Sequence, residues 1–227
     1  MFKYRLLTMN IIRKYINMLI ETLNDNKKLI AICLALYILI IIVSYIFSYN
    51  TIVSHMDAFN AQMMPRVNTT TISTTHIGPL GLFINNSLTV IYSYIGGILF
   101  GILPLFNILY NAIAVGSQIA TFGFLLPNGS LSYIIYLIPH GIFEIPGSVI
   151  GSVSGFILFK FIWRLLKDLK QSDMNGFKER ISDSYQKNKP IFIQSLILLI
   201  FGIILMMIAA PLESYVSPAF RDLLVPL

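Results

Sequence analysis

Charge is scarce in this chain. Only 11% of its 227 residues are Asp, Glu, Lys or Arg, less than half of the roughly one quarter found in soluble domains. So few ionic groups cannot coat a globular surface in water, which excludes an ordinary soluble domain. Cysteine is nearly absent: the one present, Cys33, allows no internal disulfide and no cysteine-based metal site. It reads as a small buried hydrophobe. Histidine is almost as rare, and of His55, His76 and His140 only the last lies in an apolar run. His140 followed by Glu144 is not His-Glu-x-x-His, and a catalytic zinc needs three protein ligands around an open position. No nucleophile elbow and no phosphate-binding loop occurs. The expectation is therefore no enzyme, no metal and no cofactor.

What the chain has is apolar length. It is 56% hydrophobic, with mean hydropathy +0.76. An all-α, polytopic membrane bundle follows, because helices satisfy their own backbone hydrogen bonds in lipid. Its net charge of +6 does not indicate nucleic acid, since the basic residues flank apolar runs rather than forming a basic domain. Lys3, Arg5, Arg13, Lys14 and Glu21 interrupt any cleavable signal core. The first span then does the targeting.

Residues 1–28 read as a basic amphipathic segment with Ile12, Ile16, Leu19 and Leu23 at helical spacing, lying on the membrane surface. The alternative is a solvated tail. Spans are expected near 29–49, 80–103, 104–126, 131–160 and 190–212, each near or above the ~20 residues needed to cross a bilayer. Pro104 marks the turn between the second and third, and Pro127-Asn128-Gly129-Ser130 the next turn. Pro139, Gly141, Pro146 and Gly147 predict a kinked or broken fourth helix. The loop 50–79 is expected to hold a short interfacial helix around Ile52, Met56, Phe59 and Met63, then a polar stretch. That stretch carries the sequon at Asn68; Asn128 opens a second one.

Loop charge orients the chain. Six basic residues lie in 1–28 and eight in 160–189, out of sixteen. Four predicted spans separate the two clusters, so both fall on one side. The positive-inside rule makes that side the cytoplasm and puts the tail 213–227 outside. The cell membrane is the expected location. The segment 161–189 also carries Phe161, Ile162, Leu165, Leu166 and Leu169 at helical spacing. Anionic inner-leaflet lipids or a docked partner are its expected contacts.

Polar residues inside the spans are the candidate site. His140 and Glu144 sit one helical turn apart, and ionisable groups in a bilayer usually face the bundle interior. Asn107, Asn111 and Gln118 share one face of span three. Counted at about 1.5 Å per residue from the outer ends, Gln118 matches His140 in depth and Asn111 matches Glu144, with Asn85 and Asn86 shallower. The expectation is one internal layer of His140, Glu144, Asn85, Asn86, Asn111 and Gln118. Interhelical hydrogen bonding that merely fixes the bundle explains the asparagines as well. Gly97 and Gly101 form a small-xxx-small pattern for close helix approach, and Gly141 is a further packing candidate.

Several of these residues carry a resemblance. Phe83-Ile84-Asn85-Asn86, Asn111 with Gly116, and Pro139-His140-Gly141-Ile142-Phe143-Glu144 are similar to the pattern of the stage II sporulation protein M family. So is the tail Ile208-Ala209-Ala210-Pro211-Leu212-Glu213 with Ser217-Pro218, where Glu213 ends span five. The likeness covers about residues 80–218. Ala112 departs from it, since the family often has Gly after the Asn. The resemblance implies five spans and a non-enzymatic scaffold; the sporulation member localises cell-wall hydrolases. The expected role is thus a membrane scaffold that organises an unidentified membrane or envelope protein. A small transporter or permease subunit using the His140/Glu144 layer is the alternative, and self-association into a homo-oligomer is a further open outcome.

Overall fold

The computed structural model describes residues 2–58, 78–125, 128–171 and 176–225; for residues 2–11 only the helical backbone is described. The sequon at Asn68 and most of the predicted outer loop lie outside the described residues. Among the described residues the chain is helical apart from short turns, with no strand. Helix α1 spans Phe2–Ser54, α2 Pro79–Ile95, α3 Ile102–Leu125, α4 Gly129–Gln171, α5 Phe177–Pro211 and α6 Ser217–Leu224. A 3-10 turn at Gly96–Ile98 follows α2, and a π turn at Leu212–Val216 joins α5 to α6.

Four helical segments are long and apolar enough to cross a membrane: Ile12–Ser54, Ile102–Leu125, Gly129–Gln171 and Phe177–Leu224. The expected second span is shorter than predicted. Helix α2 has 17 residues, about 26 Å at 1.5 Å per residue. The reason lies in the turn that follows it. Residues 96–101 leave the helix, with Phe100 at φ 54° and Gly101 at φ 73°, a region that L side chains rarely occupy. Pro104, expected as the turn, is instead a buried residue in the first turn of α3, where a missing N–H has no partner to lose.

The fourth helix is not broken. It runs 43 residues through Pro139 and Pro146 without interruption, about 64 Å against a ~30 Å hydrocarbon core. The basic segments are likewise not separate helices. Residues up to 28 continue into the first span as part of α1, and 161–171 and 177–189 continue α4 and α5. They stack on each other beyond the apolar stretch. The Asn188 amide donates to Asp168 Oδ2 at 2.7 Å, and the Gln194 amide donates to Asp25 Oδ2 at 2.8 Å. These bonds put both basic segments at the same end of the bundle.

Helix α4 is central and touches every other helix. Its Gly147, Ser148, Gly151, Ser152, Ser154 and Gly155 are all buried, because small side chains let backbones approach where no solvent drives helices together. A Cβ on Gly151 would lie 2.7 Å from a methyl of Val90 on α2. Around this stripe Val90, Ile108, Val149, Val153 and Leu198 are at most 1% exposed. Outward, Ile38, Leu39, Ile42, Phe47, Phe106 and Tyr110 are largely exposed, an apolar belt suited to lipid.

Candidate functional site

The polar site forms where α4, the π turn and α6 meet. His140 is 3% exposed, and its Nδ1 lies 2.7 Å from Ser217 Oγ. Ser217 is itself fully buried. The ring stands edge-on to Tyr136 with centroids 5.3 Å apart. One turn further along α4, Glu144 Oε2 lies 3.8 Å from His140 Nε2, as the four-residue spacing dictates. Glu213, on the π turn, brings a third group: single donor atoms of His140, Glu144 and Glu213 all lie within 4.8 Å of one another.

Of the other expected members, only Asn86 reaches this cluster. Its amide donates a long 3.4 Å bond to Glu144 Oε1. Asn85 is exposed, and among the described residues its amide donates to Asn86 Oδ1 at 3.4 Å. The depths explain the first contact. Asn86 stands only about 10 Å from the start of α2, whereas Glu144 stands about 22 Å from the start of α4, at 1.5 Å per residue. The start of α2 is therefore set back by about 12 Å from the start of α4 on the same rise.

Asn111 does not join the cluster through its amide, which donates back to Asn107 on its own helix, to the carbonyl at 2.9 Å and to Oδ1 at 2.8 Å. Gln118 is exposed, and its Oε1 accepts from the Tyr133 hydroxyl. The expected single layer is thus two layers. The second is built by Asn107, whose amide donates to Ser152 Oγ at 2.9 Å and Ser148 Oγ at 3.4 Å.

The packing glycines also divide. A Cβ on Gly97 would lie 2.1 Å from the carbonyl oxygen of Gly155, so close approach does require glycine there. Gly101 does not share a helix face with it, because the turn intervenes; its positive φ is the demand. Gly141 is buried, yet a Cβ there would meet first Leu137 and Ile145 of its own helix, not another span.

The family model described as Stage II sporulation protein M matches residues 29–218. The chain belongs to the stage II sporulation protein M family. It is also 33% identical to an uncharacterized protein of Methanocaldococcus jannaschii over 144 residues, covering 63% of this chain and 72% of that one. No solved structure matches it. Within this stage II sporulation protein M family member, the matched segment contains the whole cluster, from Asn86 to Ser217. Two features lie outside the expected site and packing residues. Ser217 had a usable signal, since it lies one helical turn beyond Glu213, the step that separates His140 from Glu144. The run Gly147-x-x-x-Gly151-x-x-x-Gly155 was a stronger small-xxx-small pattern than Gly97 and Gly101.

Proposed function

We propose that this protein is a non-enzymatic scaffold of the cell membrane that docks partner proteins on its basic end. One observation carries the reading. The extensions of α1, α4 and α5 pack into a helical platform through Asp25, Gln194, Asp168 and Asn188. That platform exposes Ile16, Trp163, Leu166, Phe177 and Ile181 among Lys and Arg. Apolar side chains ringed by basic ones suit an acidic partner protein, with anionic lipid headgroups filling in at the membrane edge. By loop charge this end is cytoplasmic.

The inner polar groups support the same reading. Asn107 donates to Ser148 and Ser152 and accepts from Asn111, so these groups satisfy one another inside the bundle. Photo-crosslinking groups at Ile16, Trp163 and Phe177 in native membranes test the proposal. A discrete adduct, shared by these positions and absent from lipid-facing Phe106, is the expected result. Reconstituted protein that moves protons or ions across liposomes, with no adduct from the platform, would overturn it in favour of a transporter.

A further inference from the structure

We propose that His140, Glu144 and Glu213 bind one first-row divalent cation, of the zinc or manganese kind, which clamps α4 to the π turn after α5. This goes beyond the scaffold reading and does not depend on it.

Geometry is the first support. The three donor atoms lie within 4.8 Å of one another, and His140 Nε2 and Glu144 Oε2 are 3.8 Å apart. That gap is too long for a hydrogen bond. It is near the ~3.4 Å that separates two ligands each about 2.1 Å from one tetrahedral ion. Small side-chain rotations close the remainder. A nitrogen donor beside two carboxylates favours a first-row ion over calcium or magnesium, which prefer oxygen alone.

The second support is the held histidine. His140 is more than nine-tenths buried and its Nε2 faces the Glu144 carboxylate. Its Nδ1 is engaged by Ser217 Oγ at 2.7 Å, the outer-shell contact that orients a ligating imidazole. With Nδ1–H donating to that hydroxyl, Nε2 presents its lone pair to the ion.

Charge is the third. Two glutamates face each other here. Among the described residues the ion pairs of Lys and Arg are Lys187 with Asp168 and Arg221 with Asp222, and neither involves Glu144 or Glu213. Like charges repel strongly where the dielectric is low. A divalent cation replaces that repulsion with attraction to both. The Glu144 side chain is 32% exposed, so it is not sealed inside the bundle. Glu213 sits in a π turn, a widened helical turn frequent at functional sites.

The test uses full-length protein in detergent, with His55→Gln and His76→Gln removing the other two histidines. It is stripped with a chelator, loaded with Zn²⁺ or separately Mn²⁺, desalted and analysed for metal. Roughly one ion per chain and a raised unfolding temperature are expected for a three-ligand site. Glu213→Gln should lose the ion, while the remote Glu179→Gln keeps it. Retention equal in Glu213→Gln and its parent, or no retention, overturns the proposal. A readout independent of variant folding is the Co²⁺-loaded protein. Visible d–d bands displaced by Zn²⁺ support the site; a bandless spectrum refutes it.

Discussion

Ser217 Oγ lies 2.7 Å from His140 Nδ1 across 77 residues of sequence. This contact ties the start of α6 to the interior of α4, and both partners are buried. It makes the helix after the π turn part of the bundle rather than a loose tail.

Replacing Ser217 by Ala leaves a buried ring nitrogen short of its partner. The expected loss of stability is about 1 kcal/mol. Thermal unfolding of the purified protein in detergent measures it. A double-mutant cycle with His140→Gln should show coupling; strictly additive losses would mean the two do not interact.

Gly151 is where α2 meets α4. A leucine there places its Cβ 2.7 Å from a Val90 methyl, and overpacking of this kind costs about 1–3 kcal/mol. Gly151→Leu should lower the unfolding temperature, and Val90→Ala should restore part of it. No rescue by the second change would indicate that α2 packs elsewhere.

Asp168 accepts from the Asn188 amide at 2.7 Å and lies 3.6 Å from the Lys187 ammonium. Asn188 is 3% exposed, while the Lys187 side chain is 68% exposed. Asp168→Ala should therefore cost about 1–3 kcal/mol, because one of the two N–H groups of a buried amide loses its acceptor while the other keeps the Ser184 carbonyl at 2.9 Å. Lys187→Ala should cost under about 1 kcal/mol, because solvent screens its pair. Limited proteolysis between α4 and α5 reports the difference: faster cutting in the first variant only. Equal rates would contradict it.

The topology is tested with Cys33 replaced and single cysteines at Ser73 and Ser172. An impermeant thiol reagent on intact cells should label Ser73→Cys and spare Ser172→Cys. The reverse pattern would invert the orientation and move the platform to the outer side.

Much of the architecture is legible in the chain itself. Sparse charge and long apolar runs set the class, because unsolvated backbone in lipid leaves helices as the main answer. The even number of spans expected between the two basic clusters puts both at one end, and the structure has them at one end through the Asp25–Gln194 and Asp168–Asn188 contacts. Local spacing also gave His140 and Glu144 one turn apart. Continuity was less legible. Pro139 and Pro146 suggested a kink or a break; neighbouring helices cover α4, and it continues unbroken through both. The amphipathic segments looked like surface helices, yet they extend α1, α4 and α5 and stack on one another.

Composition and residue spacing set the membrane class, the helical periodicity and which residues share a face of one helix. Which faces meet depends on how the helices pack. Periodicity specifies rotation about a helix's own axis only. The axial offset between helices comes from interdigitation, as where Val90 packs against the Cβ-less Gly151. That offset recesses α2, brings Asn86 level with Glu144, leaves Gln118 at the surface, and carries Glu213 and Ser217 to His140.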